Sequence, residues 1–351
     1  MDFGLTEEQT ELAGLTRKIL AERDAPWGDL AAAGVLAAGL PPALGGAGLG
    51  LLEQCSVLIE LGRSASSVPY LTSVVLGAGA LAAFGTAGQQ ERWARPAGQG
   101  TVVLTAALAE EDGDDPRTPS ARAERADGQW VLSGMKTAVD AAPEADLFLV
   151  PCASPDGVLV FLAAPSDAGV RVEPQQLTDV GSVGRVVFDG CVLSDDRVLG
   201  GVGDEVADWL VARATVGLCA MQSGVIERAL ELTAEYAKSR VAFGRPIGSF
   251  QAVTQRLADA FVDTEAVRLT MWQAAWLLSA GSAAATEVAT AKFWAAEAGH
   301  RVAHTAVHVH GGMGIDVTYP VHRYFVAAKR NEFALGGAMV QLRRIGGALA
   351  G

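Results

Sequence analysis

The segment between Arg240 and Gln251 combines side chains suited to an anionic, partly aromatic ligand. Arg240 places a guanidinium in the last turn of one predicted helix, Phe243 adds a ring, and Gln251 opens the next helix. Gly244 and Pro246 break the chain between the two helices. A guanidinium and an amide beside an aromatic ring could receive a dinucleotide pyrophosphate. A helix-capping arginine in a tight interhelical turn explains the same residues equally well.

A second candidate segment covers residues 308–314 and reads HVHGGMG. Gly311 and Gly312 follow a predicted helix, and backbone that carries no side chain can approach a ligand closely. These glycines alone are weak evidence, because glycine also ends helices.

All five histidines lie within residues 300–322. His300, His304 and His308 are spaced four residues apart and share one face of a predicted helix. A zinc site would use such a row with a further ligand such as Glu297. The glutamate motif of metalloproteases is absent, so a packing or interface role is favoured and no metal is predicted. The sequence has no GxGxxG, GxxxxGK[ST] or GxSxG motif, which argues against P-loop enzymes and hydrolases.

The elements that must position these residues fall into three regions. Residues 1–102 are predicted to form an α-helical domain that opens with a capping box at Thr6 and Gln9. Residues 103–200 contain short β-branched runs bounded by Gly, Asp, Pro and Ser, a pattern typical of an antiparallel β-domain. Within it, residues 110–117 (EEDGDDPR) are predicted to be a solvated acidic loop.

The third region, residues 201–351, is predicted to be a C-terminal α-helical bundle. After the long helix that ends near Arg240, further helices are predicted near 283–310, 320–331 and 336–348. The fold class predicted for the whole chain is therefore mainly α with a central β-domain.

The composition limits the possible partners. The 351 residues include 27 basic and 40 acidic side chains, for a net charge of −13, and 50% of the residues are hydrophobic. This acid excess argues against nucleic acid and weakly against an anionic membrane surface. Two uncharged windows, residues 30–52 and 64–90, are too broken or too polar to predict a membrane span. A buried helix is predicted in the second window.

The first residues of the sequence and its cysteines indicate the cellular compartment of the protein. The opening MDFGLTEEQTEL is acidic where a signal peptide has a basic start and an apolar core, so a cytoplasmic protein is expected. The four cysteines are widely spaced without a CxxC pair, which favours buried thiols over disulfides or zinc.

The sequence resembles the acyl-CoA dehydrogenase family over almost its full length. The resemblance rests, in chain order, on the blocks DFGLTEEQ, LPPALGGAGLGLLEQCSVLIELGRS, RVAFGRPIGSFQAV and VHGGMGIDVTYPVHRYF. The order of helices, β-domain and helices is also that of the family. The resemblance implies an N-terminal helical domain, an antiparallel β-domain and a C-terminal four-helix bundle.

The resemblance also implies a cofactor and a reaction. Family members bind FAD and oxidise the α–β bond of an acyl-CoA: a Glu carboxylate removes the α-proton, and the β-hydrogen leaves as hydride to the flavin. Each FAD lies at a subunit interface. One subunit provides the flavin cradle and the base, and its neighbour holds the pyrophosphate and adenosine.

Of the two sets of residues that form such a site in the family, this chain matches one much better than the other. The half donated to a neighbour is mostly present, at Arg240, Phe243, Gln251, His308, Gly311 and Gly312. His308 stands where the family usually has Gln, which still leaves a hydrogen-bonding side chain.

The residues that form the flavin cradle and the base within one subunit are mostly replaced in this chain. The family's usual catalytic Glu position corresponds to Leu335, which cannot accept a proton. The alternative base position falls in residues 212–216, which contain no carboxylate. The Thr-Glu-Pro loop is replaced at residues 108–115, and the Trp-x-Thr that packs on the flavin is replaced by Ala-Val-Asp at residues 138–140.

Glu332 is the carboxylate nearest to Leu335 in the sequence. One helical turn could place it on a similar face as a relocated base. A surface or salt-bridge residue beside Lys329 and Arg330 is the favoured interpretation, so no catalytic residue is predicted in this chain.

This selective loss resembles the shorter, base-less subunit of the α2β2 acyl-CoA dehydrogenases of actinobacterial steroid side-chain catabolism. The leading hypothesis is a chain that pairs with a homologous catalytic subunit and donates half of each FAD site. The alternatives are a self-sufficient homo-oligomer with a displaced base, and a non-catalytic scaffold without flavin. A steroid side-chain thioester is the expected substrate by analogy alone, and a fatty or polyketide-derived acyl-CoA is the alternative.

Overall fold

The computed structural model of the protein describes residues 3–22, 26–111, 113, 115–178, 181–202 and 205–350. Backbone contacts divide the chain into two compact units. The helical unit comprises Met1–Glu22, Cys55–Ser66 and Val216–Gly351, and the sheet unit comprises Arg23–Gln54 and Ser67–Thr215. Helices make up 57% of the chain, which confirms the predicted mainly α class with a central sheet.

The helices account for most of both ends of the chain. The α-helices within the described residues are α1 (Glu7–Glu22), α2 (Trp27–Ala32), α3 (Leu51–Arg63), α4 (Gly79–Phe84), α5 (Ala87–Gln89), α6 (Arg95–Gly98), α7 (Val206–Ser239), α8 (Gln251–Ser279), α9 (Ala285–His310), α10 (Pro320–Phe333) and α11 (Ala338–Ala350). Two π-helical segments cover Tyr70–Ala78 and Gln90–Ala94. Short 3₁₀ turns cover Pro42–Leu44, Asp195–Arg197, Ile247–Ser249 and Gly311–Ile315.

Along the chain, most of the strands come after the N-terminal helices and before the long helix α7. They are β1 (Leu104–Ala106), β2 (Arg122–Ala126), β3 (Gln129–Asp140), β4 (Leu147–Ser154), β5 (Gly157–Ala163), β6 (Val170–Gln175), β7 (Val183–Leu193) and β8 (Val198–Leu199), followed by the two-residue strands β9 (Val241–Ala242) and β10 (Arg245–Pro246).

Several local predictions are confirmed. At the start of α1, the Gln9 N–H donates to Thr6 Oγ1 at 3.2 Å and the Thr6 N–H donates to Gln9 Oε1 at 3.0 Å, which is the predicted capping box. Helices α9, α10 and α11 lie close to the bounds predicted for them. The buried helix predicted within residues 64–90 is present, and the four cysteines are buried and form no disulfide among the described residues.

Glycine brings the backbones of α3 and α7 into direct contact in the helical unit. A Cβ added to Gly62 would lie 2.0 Å from the carbonyl oxygen of Met221, and one added to Gly224 would lie 2.0 Å from that of Ile59. Only glycine permits this approach, which accounts for part of the glycine-rich, apolar composition. Helix α7 is long and apolar enough to span a membrane, but 78% of its most apolar window is buried inside the protein, as in a core helix.

The main sheet has the strand order β6-β7-β3-β2-β4-β5-β8, with β1 added beside β4. It is mixed, whereas the sequence predicted an antiparallel sheet. Strand β1 runs parallel to β4, with Leu104 opposite Leu147, and β2 meets β4 at a parallel bridge. The hairpin of β2 and β3 lies between β1 and β4 in the chain, so the chain can re-enter the sheet in the same direction. Strand β2 has the sequence RAERA, which contains none of the β-branched residues on which the predicted β-domain rested, and four of its five residues are exposed.

The side chain of Glu110 is buried, although the residue as a whole is partly exposed, which corrects the prediction of a solvated loop at its position. Its carboxylate accepts from Lys136 Nζ at 2.6 Å, from the Ser120 N–H at 2.6 Å and from the Ala121 N–H at 3.0 Å. The Glu110 side chain is 6% exposed and that of Lys136 is fully buried. Burial alone would raise the pKa of Glu110, but the hydrogen bonds from Lys136 and Ser120 outweigh it and lower the pKa to about 2.

Replacing Glu110 with Gln is expected to lower the free energy of unfolding by on the order of 3 kcal/mol, because the Lys136 ammonium stays buried without a counter-charge. The folded-state pKa of Glu110 is depressed, so its contribution is complete above about pH 4.5 and is lost as the pH falls toward about 2. The two proteins should therefore differ most near neutral pH and converge in acid. Urea denaturation across this range measures the difference.

An exposed ion pair of the same sheet provides the control. Arg171 lies 3.7 Å from Asp189 with 57% of its side chain exposed. Arg171→Gln should change the free energy of unfolding by less than about 1 kcal/mol. Equal stability of Glu110→Gln and the wild type at neutral pH would contradict the role given to the buried pair.

Lys292 is a buried cation in the helical unit. Its side chain is fully buried, and its Nζ donates to the carbonyl oxygens of Asn331 and Glu332 at 3.0 Å each, at the end of α10. No carboxylate of the described residues forms an ion pair with it. Burial lowers the pKa of Lys292 to about 8. The ammonium therefore holds the last turn of α10 through main-chain carbonyls.

Replacing Lys292 with Met should remove a pH dependence of stability. The folded-state pKa is depressed, so the folded protein binds fewer protons than the unfolded chain between about pH 8 and pH 10.5, and wild-type stability gains with rising pH there. The wild type should gain roughly 3 kcal/mol relative to Lys292→Met across that interval. Denaturant titrations at several pH values measure the gain. Lys238→Met, at an exposed lysine of α7, should show no such gain, and a pH-independent difference for Lys292→Met would contradict the assignment.

Candidate functional site

The first candidate segment forms a hairpin between α7 and α8. The Arg240 N–H donates to the carbonyl of Tyr236 at 2.8 Å, and the Ile247 N–H donates to the carbonyl of Arg240 at 2.8 Å. Strands β9 and β10 pair between these points, leaving Phe243 and Gly244 at the tip. Both tip residues have a left-handed φ, +52° for Phe243 and +79° for Gly244. A two-residue hairpin loop commonly requires this, but it is unfavourable for a residue with a ring.

The hairpin directs its side chains away from the chain's own core. Phe243 is 96% exposed, and the Arg240 guanidinium is exposed without an acceptor among the described residues. Beneath the tip, Arg245 stacks over the Phe250 ring at 4.2 Å, and the Phe243 and Phe250 rings meet edge to face at 6.1 Å. The hairpin therefore exposes an aromatic ring and a positive charge that are both available to bind a ligand.

Gln251 begins α8 and is exposed. The residue before it, Phe250, provides no side-chain cap for the helix. The first turn of a long helix carries free N–H groups and a partial positive charge, which favours an anion. Arg240, the start of α8 and Gln251 together suit a pyrophosphate.

The second candidate segment lies at the end of α9. Gly311 stops the helix with φ +62° and ψ −137°, a conformation that only glycine adopts readily. Gly311 and Gly312 are exposed, with open space where a Cβ would be. His308 is exposed one turn earlier. Gly314, by contrast, is buried, and a Cβ there would lie 2.8 Å from the backbone of Val307.

A residue that the sequence did not single out joins the two segments. The ring of His310, the last residue of α9, stacks on Tyr236 of α7 with centroids 4.3 Å apart and an interplanar angle of 25°. Tyr236 is one turn before Arg240, and His310 directly precedes Gly311. The two segments are therefore adjacent. We call them the outward surface: Arg240, Phe243, Gln251, His308, Gly311 and Gly312.

The position that the resemblance assigns to the family's base, residue 335, has no proton acceptor in its side chain. Leu335 follows α10 with φ +58°, and Gly336 follows it with φ +92°. The carbonyls of both residues accept from Gln341 Nε2 at 3.0 Å. The loop therefore has a defined backbone, stabilised from α11, that presents leucine.

Glu332 forms part of a charged cluster. Its carboxylate lies 2.5 Å from Lys329 Nζ and 3.2 Å from His300 Nδ1, and these two partners are 3.0 Å apart. The side chain is 14% exposed. His300 also contacts His304 ring to ring at 4.3 Å. Among the described residues, no group of three His, Cys, Asp or Glu side chains could hold a metal ion.

The sheet unit contains residues 138–140, which the resemblance assigns to the positions that pack against the flavin. Residues 138–140 are Ala, Val and Asp; Ala138 has φ +48° and its N–H donates to Gln175 Oε1 at 2.8 Å. Val139 is buried and Asp140 is exposed, so these three positions provide no aromatic wall. The groups of the outward surface thus fit FAD, whereas residues 138–140 do not.

Comparisons with known proteins identify the family of the chain. Residues 6–101 match the acyl-CoA dehydrogenase N-terminal domain, and residues 201–350 match the C-terminal domain. The chain is 47% identical to acyl-CoA dehydrogenase FadE27 of Mycobacterium tuberculosis, over 100% of this chain and 99% of that protein.

Two solved structures extend the similarity. A chain of the ChsE4-ChsE5 complex from Mycobacterium tuberculosis has a TM-score of 0.94 and 48% identity, covering 100% of this chain and 99% of that chain. A variant of the Tcur3481-Tcur3483 steroid ACAD has a TM-score of 0.92 and 37% identity, covering 98% of each chain. The protein described here belongs to the acyl-CoA dehydrogenase family.

Proposed function

We propose that this chain is a subunit of an FAD-dependent, cytoplasmic acyl-CoA dehydrogenase that introduces an α,β double bond into an acyl-CoA thioester. It donates the outward surface to an FAD site completed by a homologous catalytic subunit in an α2β2 heterotetramer. The observation that carries the proposal is an exposed surface able to bind a dinucleotide, in a chain whose base position is Leu335.

Each group of the outward surface has a defined task in this proposal. The Arg240 guanidinium and the uncapped start of α8 hold the pyrophosphate, and Gln251 adds an amide. Phe243 provides a flat face, and the backbone at Gly311 and Gly312 lets the cofactor approach closely. Bound FAD supplies the acceptor for the substrate β-hydrogen. The α-proton needs a carboxylate within hydrogen-bond reach, and the partner subunit provides it.

The similarity to chains of two heteromeric assemblies supports the partner. One is the ChsE4-ChsE5 complex and the other is the Tcur3481-Tcur3483 steroid ACAD. Because the second assembly is a steroid ACAD, this similarity also supports a steroid-derived acyl-CoA thioester as the substrate class.

The self-sufficient alternative would require Glu332 as the base. Its carboxylate is paired with Lys329 and His300, and α-proton abstraction would need it to leave both partners. A scaffold without flavin gives no reason for an exposed ring at a left-handed tip residue, Phe243. The heteromeric subunit is therefore preferred over both the self-sufficient enzyme and the scaffold without flavin.

Arg240→Gln in the assembly co-expressed with a catalytic homologue should weaken flavin binding about 10- to 100-fold, because it removes a charge-assisted contact to phosphate. Phe243→Ala should weaken it less, since it removes a ring contact and leaves the charge. Flavin fluorescence during dilution, with protein concentration measured separately, gives the dissociation constant.

Arg122→Gln provides the matched control, because Arg122 is an exposed arginine on β2. It should leave flavin retention unchanged. Wild-type flavin affinity in both Arg240→Gln and Phe243→Ala assemblies would contradict donation from this chain.

A further inference from the structure

The His310 ring is enclosed between two aromatic neighbours. His310 is 3% exposed, stacks on Tyr236 at 4.3 Å and meets Tyr319 at 5.4 Å with an interplanar angle of 57°. Tyr236 belongs to α7, and Tyr319 immediately precedes α10. A single side chain therefore contacts residues at the ends of separate elements.

Both candidate segments begin at this stack. On one side, the carbonyl of Tyr236 accepts from the Arg240 N–H, and the carbonyl of Arg240 accepts from the Ile247 N–H, at 2.8 Å each. On the other side, Gly311 follows His310 directly, and a Cβ on Gly314 would lie 3.2 Å from His310 Cβ. If the His310 ring moved, Tyr236 and the end of α7 would shift the hairpin, and the covalent link from His310 to Gly311 would shift the glycine segment.

The ring faces, rather than the ring nitrogens, make the contact between helices. His310 Nδ1 donates to the carbonyl of Ala306, 2.8 Å away on the same helix, which leaves Nε2 as the unprotonated nitrogen. Nε2 is buried without a hydrogen-bond partner among the described residues. Burial lowers the pKa of His310, and the hydrogen bond to Ala306 opposes that effect only partly. His310 is thus a neutral aromatic plate at this position.

We propose that His310 is a positioning residue: its stack on Tyr236 locks the end of α9 to the end of α7. The lock fixes the separation between the Gly311–Gly312 backbone and the Arg240 guanidinium, so that both contact one dinucleotide. The identity of that ligand rests on the proposed function, while the lock between the two helices is a property of this chain alone.

Hydrogen exchange on the chain without flavin tests the lock. His310→Ala lies on α9, yet it should speed exchange of the Arg240 and Ile247 amides on the α7 side by on the order of tenfold. Tyr236→Leu should produce the reciprocal effect at the Gly314 amide. The double variant should show no further increase, because the two rings act as one contact.

Two variants separate the lock from general loss of stability. His310→Phe keeps a flat ring and removes the unpartnered nitrogen, so it should retain wild-type exchange at both segments. His300→Ala makes the same truncation earlier on α9, away from Tyr236, and should leave both segments unchanged. Unchanged α7 amides in His310→Ala would overturn the proposal, as would loss of protection in His310→Phe equal to that in His310→Ala.

The co-expressed assembly provides the second readout. His310→Ala should weaken flavin binding about tenfold, and His310→Phe should restore it. Faster exchange of the Arg240 and Ile247 amides together with wild-type flavin affinity in His310→Ala would overturn the positioning role while leaving donation intact. Absence of flavin from the wild-type assembly would instead contradict the proposed function, and the exchange experiment would still decide the lock.

Discussion

The hairpin between α7 and α8 closes only because two consecutive residues adopt left-handed backbone angles. Glycine at the second position accepts this readily, but Phe243 at the first carries a ring into an unfavourable conformation. The consequence is an aromatic side chain in solvent, beside a guanidinium that the described part of the chain leaves unpaired. The exposed ring and the exposed guanidinium support the proposal that the hairpin contributes to a binding site.

Leu335, at the position that the resemblance assigns to the family's base, lies in a loop with a well-defined backbone. Leu335 and Gly336 still form a left-handed turn after α10, and Gln341 holds both of their carbonyls. Lys292 fixes the preceding turn through the carbonyls of Asn331 and Glu332. These contacts maintain the shape of the C-terminal helices whatever side chain occupies position 335.

The features that sequence predicted are those set by local physics. The capping box at Thr6 and the long helices follow from residue type and spacing over a few turns. Strand β2 could not be predicted from its polar residues, because it is a strand through its pairing with β3. The burial of Glu110 depends on Lys136, 26 residues further along the chain. His310 was seen only as a member of a histidine-rich segment, since its partner Tyr236 is remote in sequence.

The amount of flavin bound by the purified chain, alone and with a catalytic homologue, tests the central claim most directly. We expect little or no flavin on the chain alone and one flavin for each pair of unlike subunits in the assembly, measured as flavin absorbance against protein concentration. A chain that by itself holds stoichiometric flavin and oxidises an acyl-CoA would contradict it.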